Sequence, residues 1–565
     1  MRACRREAQP LGIVLPVRTR LRKHYPCWSV PSVVNAKFVS PPVDIVRMNK
    51  TVVLGALMIL ASSATCFNAA TLANEARSTP SAVDSDKPEA DRVYLAVRTD
   101  NKQGSGTAAD PFDASTAFKF DALMAKFWET HGGKWVGGEY KHGKPLTIQL
   151  GAGVFEAGAL ASYGFNVNGP HAMQNWLARG WTLRGAGMLE TEIRNVSRSP
   201  SGVFMFNSSG GTWGGPESGG ITISDLTLNP QKSVHEDSTN HEVEIIEADG
   251  TTTTVRAPGH GWRLWTRIEL SGENYSGARG PYDGGGWKLV TAITPDTFSW
   301  KSSNTRTGLV KIKRVGEWNA IRINGPSNRV ERVRVIDAGA NSIAEMWPLW
   351  VGGDNLVIDG CVVERCSGLM SAIGAFPGTN RTIRNCRVDS TGCGPTLGIA
   401  AVELVENNTV VNATHGIYAD TFASSVPIHV RNNVIENPNG AAILIRPHDH
   451  TKNIFVRGNR VVGGDNEVGV WIDPLSGHWS GSEWQSAKGE KIWIDDVVVE
   501  GNDIGDKRIE MAQTRGVTIK DNIVRFGVFY RMPNPANVSG NRTSTGQFPF
   551  GLEDTIGVAA PNHEP

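Results

Sequence analysis

Ile428-His429-Val430-Arg431-Asn432-Asn433-Val434-Ile435 returns twenty-six residues later as Ile454-Phe455-Val456-Arg457-Gly458-Asn459-Arg460-Val461. In each copy β-branched residues alternate with polar ones, then come a small or polar residue, an asparagine, one variable residue and Val or Ile. Period-two alternation over so short a run marks a strand with one buried face, not a helix. Outward from these copies the phrase recurs at 356–363, 382–388 and 517–524. Alignment puts Leu226, Val333, Cys361, Cys386, Asn408, Asn433, Asn459, Asn502, Asn522 and Asn541 at one position. From Val333 the steps are 28, 25, 22, 25, 26, 43, 20 and 19 residues.

Periods of this length mean a solenoid or an array. Coils of about 22–26 residues built from short strands and Gly/Asn turns predict the rungs of a parallel β-helix, stacked about 4.8 Å apart. Asparagines stacked at one turn are then expected to form an internal amide ladder, satisfying backbone groups that water cannot reach. The phrase resembles the right-handed β-helix of the pectin-lyase-like superfamily, over roughly residues 90–545. Val97-Arg98-Thr99-Asp100 and the Gly-rich stretch to Asp110-Pro111-Phe112 look like the entry to such helices. The phrases 148–155 and 183–187 look like its first rungs. Helical spacing across 115–131 (Phe118, Leu123, Phe127) predicts a cap on the open end of the solenoid.

The fold expected is therefore all-β: a right-handed parallel β-helix with an N-terminal helical cap and an inserted small β-barrel-like module. Cap and first rungs are expected over 91–239, and the main rungs over 313–545. The Thr-, Val- and Gly-rich stretch 240–312 breaks the period and is read as the module. A second insertion at 474–490 explains the 43-residue step and carries Trp479 and Trp484. Residues 74–90 read as a linker and 546–565 as a tail.

Fifty-seven Lys and Arg against 56 Asp and Glu give no basic excess, which argues against a nucleic-acid partner. The balance is uneven: residues 1–47 carry nine basic and two acidic side chains, so the remainder carries 48 against 54. Met48-Asn49-Lys50, a short apolar run and small residues up to Ala73 describe a secretory signal over 48–73. Residues 1–47 are then a targeting extension or a misplaced start. The mature chain is expected to be secreted, periplasmic or on the cell surface, off the membrane once the signal is cleaved, and monomeric. Export permits disulfides, and among Cys361, Cys366, Cys386 and Cys393 the register favours Cys366 with Cys393.

In this fold the strand after the corner faces a long groove. The groove strands are expected at 369–373, 399–403, 416–420, 441–446 and 468–473. Alternation sends Ile417, Ala419, Ala441, Ile443, Ile445, Val468, Val470 and Ile472 inward, and Tyr418, Asp420, Leu444, Arg446, Trp471 and Asp473 outward. Pro447-His448-Asp449-His450 follows Arg446 directly. Removing the proton beside a sugar carboxylate requires neutralising that carboxylate and placing a base near the carbon. Arg446 suits the first task and His448 the second, with Tyr418 handling the second proton. Asp420 and Asp473 complete the candidate catalytic set. Trp471, Trp479, Trp484 and His450 are the candidate substrate contacts, the indoles offering flat faces to sugar rings. Arg446 and Asp473 fall in one column on neighbouring rungs, so a surface ion pair is the plain alternative.

Pro447-His448-Asp449, followed by the next strand phrase, is similar to the Asp-Pro-His-Asp segment of mannuronan C5-epimerases, which implies His448 as base. The first motif aspartate is Arg446 here, and the following rung has Asp473-Pro474 where that family has arginine. His415-Gly416 is similar to the His-Gly of polygalacturonases, whose paired-aspartate phrases are missing. For hydrolysis, Asp420 and Asp473 are expected two rungs apart with a two-residue offset, roughly 12 Å, against the roughly 5–9.5 Å of glycosidase pairs. Glu345, beside Trp347 and Trp350, is an alternative acid. The expectation is a lyase or C5-epimerase acting on an extended, acidic polysaccharide. The alternatives are a non-catalytic adhesive or carbohydrate-binding protein and a glycoside hydrolase. No cofactor is required; calcium fits the acidic mature chain, but no segment has calcium-loop spacing to place it.

Overall fold

The computed structural model describes residues 91–546 apart from internal stretches. The longest of these are 159–174, 209–217, 272–286 and 394–401, and those nearest the groove are 420–425, 448–449 and 475–477. The leader and the linker lie outside the described residues.

Each coil contributes a groove strand and two strands flanking a corner. In one coil these are Ile417–Ala419, Ile428–Arg431 and Val434–Glu436; in the next, Ile443–Ile445, Thr451–Arg457 and Arg460–Val462. All pair in parallel with their counterparts one coil on. The corner strands together form a 22-stranded wall. The groove strands form a second wall, including a five-stranded run through Ile417–Ala419, Ile443–Ile445, Val468–Ile472, Arg508–Ala512 and Phe526–Tyr530.

The aligned column marks the corner. Register sets Leu226 on Val333, and carries Val333 to Cys361, Cys386, Asn408 and Asn433 through the residues that follow each. From Asn408 onward the amides ladder. Asn433 Nδ2 donates to Asn459 Oδ1 at 2.9 Å and to Val405 O at 3.0 Å, while its Oδ1 accepts from the backbone N–H and Nδ2 of Asn408. Asn459, Asn502, Asn522 and Asn541 repeat the pattern. The residue before each column member has positive φ: Asn407, Asn432, Gly458, Gly501, Asp521 and Gly540 lie between 55° and 67°. Gly, Asn and Asp tolerate that left-handed conformation, which is why they precede the asparagine.

Inside, Val, Ile and Leu from both walls make one continuous core. The helix Ala117–His131, capped by the Thr116 hydroxyl, adds Phe120, Leu123, Met124 and Phe127 to that core. Residues Asn240–Val315 supply the six strands of a closed barrel with its own core, around Val255, Ile268, Phe298 and Trp300. Strands His478–Ser480 and Glu483–Gln485 make an antiparallel hairpin in which Trp479 pairs with Trp484. Among the described residues no helix is long and apolar enough to cross a membrane.

Several expectations need correction. The groove strand placed at 369–373 is Ile373–Ala375. At the end of 399–403, Val402 and Glu403 are not strand; the corner strand starts at Leu404. Cys366 is buried, its thiol donating to Glu364 O at 3.3 Å, and the side chain of its expected partner Cys393 lies outside the described residues. Ala441 and Val468 do not join the main core. A bulge between Val468 and Val470 shifts the phase, and both residues pack with Leu444, against Tyr418 and Trp471, on the outer side of the wall; Ala442 turns inward instead.

Candidate functional site

Four groove strands turn a single file of side chains outward. Tyr418, Leu444, Trp471 and Glu510 stand in register on successive rungs, because the residues on either side of each are committed to the core. Leu444 points outward but is buried beneath Tyr418 and Trp471. Just past the strand ends the ladder continues: the backbone N–H of Arg446 donates to Ala419 O at 2.8 Å and that of Asp473 to Ile445 O at 3.1 Å. This brings Arg446 and Asp473 together on neighbouring rungs. Arg446 Nε donates to Asp473 Oδ1 at 2.8 Å and Nη2 to Oδ2 at 3.4 Å. The guanidinium also lies over the Trp471 ring, 5.5 Å from its centroid.

The pair is no exposed bridge, since its side chains are only 18% and 17% accessible. Burial pushes the Asp473 carboxyl up to about 6. Arg446 and a hydrogen bond from Trp471 pull the other way, and the negative Glu510 adds to the rise. A carboxyl that changes charge near pH 6 suits proton transfer. Beside it, His415 stacks on Tyr418 with centroids 6.5 Å apart. Its Nδ1 is within 3.3 Å of Ala441 O, which fixes the tautomer with Nδ1–H donating. Burial lowers its pKa, so the imidazole is neutral at pH 7.

Of the expected site residues, the structure unites Tyr418, Arg446, Trp471 and Asp473. His450 goes elsewhere: exposed at the start of Thr451–Arg457, it accepts through Nδ1 from the Trp493 N–H at 3.2 Å, on the large wall. Asp420, His448 and Asp449 lie outside the described residues, as do Glu345 and Trp347. Ala419, Ile445 and Ile472 stand in register, without the two-residue offset assumed in the hydrolase estimate. Sequence reading missed Glu510 and its strand; the signal was there, in the alternation Ile509-Glu510-Met511 between the corner residues Asn502 and Asn522. Among the described residues no group of three His, Cys, Asp or Glu side chains is placed to hold a metal ion.

Residues 319–480 match the family model described as right handed beta helix region. With parallel coils running from Asp91 to Ser539, the protein is a right-handed parallel β-helix. No curated protein matches the chain. Among solved structures it is similar to the A-module of a mannuronan C-5 epimerase from Azotobacter vinelandii, at 12% identity and a TM-score of 0.30, over 75% of this chain and 90% of that one. It is similar also to PfbA, a surface adhesin of Streptococcus pneumoniae, at 10% identity and a TM-score of 0.41, over 76% and 89%. A third is the DFA-IIIase of Arthrobacter chlorophenolicus in complex with DFA-III, at 11% and 0.37, over 82% and 87%.

Proposed function

We propose that this is a secreted or surface-exposed carbohydrate-active protein that abstracts the C5 proton of a uronate unit in an extended acidic polysaccharide, as a lyase or a C5-epimerase. The observation that carries the reading is the shielded Arg446–Asp473 pair on the groove wall, stacked on Trp471 and adjacent to Tyr418. In this reading a uronate carboxylate takes over one arm of the Arg446 fork, and the fixed cation stabilises the negative charge that develops there when the C5 proton leaves. His448 takes that proton, and the C5–H electron pair moves onto the carboxylate. Tyr418 then either returns a proton to C5 from the opposite face, giving the epimer, or protonates the C4 glycosidic oxygen as its bond to carbon breaks, leaving a C4–C5 double bond. Asp473 sits where it can relay protons or hold Arg446 in aim. The chemistry needs no organic cofactor; calcium enters as an ion to be tested by addition and chelation.

The test is incubation with alginate, pectate and related polymers. Elimination produces the ultraviolet absorbance of the conjugated double bond; epimerisation incorporates solvent deuterium at C5 without cleavage. Reducing ends with neither signature would mean hydrolysis and overturn the reading. One observation favours a non-catalytic, adhesive reading: Asp473 already occupies Arg446 through two contacts. Binding without any of the three chemical signatures would select it.

A further inference from the structure

The outer face of the large wall carries a strip that neither the core nor the groove uses. Register stacks one residue per coil in a column from Val357 through Leu404, His429 and Phe455 to Thr518. Every member of the column is half-exposed. At its middle the His429 ring lies on Phe455, with centroids 4.9 Å apart and planes at 11°. Beside Leu404 and His429 the face dips into a recess of about 340 Å³, bordered by Thr382 and Pro427.

Two residues further along each strand runs a column of charges. It reads Asp359, Arg384 and Glu406 as far as the coil of Leu404, and Arg431 on the coil of His429. Arg457, Glu500 and Lys520 complete it on the next three coils. Neighbours in the column pair within the chain: Arg384 with Asp359 at 2.8 Å, Arg431 with Glu406 at 2.7 Å, and Glu500 with Arg457 at 3.2 Å and Lys520 at 2.7 Å. With four cations against three anions, the face repels neither a cationic nor an anionic surface strongly.

The order of these charges is its own complement when reversed. A second copy turned over about a two-fold axis that runs along the strand of His429 lays its coils in the opposite order, and each column faces itself. Asp359 then meets Lys520 of the second copy, Arg384 meets Glu500, and Glu406 meets Arg457. Only Arg431 meets its own kind, and Glu406 holds it in each copy. Moving the axis half a coil either way sets Arg384 against a cation, Lys520 or Arg457. A shift of a whole coil keeps at most two of the three opposite pairings. In the register that keeps all three, the Phe455 ring stands opposite Leu404 and the recess beside it, twice by symmetry. Exposed ion pairs add little affinity, but their order fixes register; the affinity comes from the apolar column. Nine coils from Arg329 to Asn537 give a face about 38 Å by 13 Å, roughly 1,000 Å² over both copies, the lower edge of specific interfaces.

We propose that this face docks a second copy of the chain, forming an antiparallel two-fold dimer packed wall to wall with His429 at its axis. The dimer takes the place of the monomer expected from sequence. It is independent of the uronate reading, because none of its residues lies on the groove wall.

The test is sedimentation velocity of the full-length protein over about 1 to 100 µM, the range in which an interface of this size associates. The expected result is a mass that doubles with concentration. Phe455→Glu should weaken the dimer about a hundredfold or more, since symmetry removes the central contact twice, and Trp471→Ala should leave it unchanged. Register is read by spin labels on Val357→Cys and, separately, on Thr518→Cys, with the unsubstituted protein as blank. Each label sits six coils from its own copy across walls about 10 Å apart, so both should report a separation of about 30 Å. The proposal fails if the chain stays monomeric, if the dimer survives in a Phe455→Glu protein of unchanged melting temperature, or if the two labels report different distances. A monomer that binds a polysaccharide and loses it on Phe455→Glu would give the face to carbohydrate, and overturn the proposal too. Should Phe455→Glu not fold, Leu404→Glu and the label distances decide.

Discussion

Asp473 shows how one side chain reports on its surroundings. Its carboxyl titrates near 6 in the folded chain, against an ordinary value of 3.8. Between those two values the folded state holds a proton that the unfolded chain has released. Stability from this group is therefore full below about pH 4 and declines as pH rises towards 6 and just above. Denaturant melts of Asp473→Asn across pH 4 to 7 are expected to lack that downward slope while keeping the acid-side behaviour of the other carboxylates. An unchanged slope would mean the carboxyl is not perturbed. For Arg446→Ala the expectation is at least a hundredfold loss of polymer turnover, the usual cost of removing a charge-stabilising donor. Because the cation also covers Trp471, the same variant should alter the tryptophan fluorescence of the protein as isolated.

At the scale of the element, the corner and the groove strand carry the structure. Asn433→Ala would leave the Asn408 N–H, the Asn408 amide and the Val405 carbonyl without their partner in a dry interior. At about 1–3 kcal/mol for each buried group left unsatisfied, we expect a loss of several kcal/mol in equilibrium denaturation. Asn541→Ala strands the matching groups of the coil before it, the Asn522 N–H, the Asn522 amide and the Ile519 carbonyl, and should cost a similar amount. Gly416 is tight for a different reason. A Cβ there would lie 2.5 Å from Ile435 Cγ2 and 2.6 Å from Ala442 O, so Gly416→Ala should cost about 1–3 kcal/mol by overpacking. It should also disturb the His415–Tyr418 stack next to it. Corner and core were legible because stacking repeats one chemical demand on every coil, and Asn433, Asn459 and Asn502 answer it identically. The first corners use Leu226 and Val333 instead, and there only strand alternation gave the register. The groove was less legible. A bulge at Val468 moves side chains between faces without changing the hydrophobic pattern, and Trp471, Glu510 and Asp473 meet through register across coils that no local motif records.

For the whole molecule, the barrel is the part most separable from the rest. Its strands pair among themselves, its core is distinct from that of the solenoid, and it enters and leaves on paired antiparallel strands, with Asn240 opposite Lys313. Opposed residues of such strands are about 5 Å apart at Cα, so a short linker can join them. The coils on either side do not need the barrel to meet: Thr222–Asn229 pairs directly with Arg329–Ile336, from Thr222 on Arg329 to Leu228 on Val335. Replacing 241–312 by a Gly-Ser linker should therefore leave a β-helix that unfolds cooperatively, with groove chemistry intact. The excised segment 240–315 should fold alone, with a near-ultraviolet signal from Trp300 in its core. Circular dichroism melts of the three proteins decide the matter. If the linker variant aggregates or melts over a broad range while the isolated barrel folds, the insertion is a buttress on which the first coils depend, not an independent module.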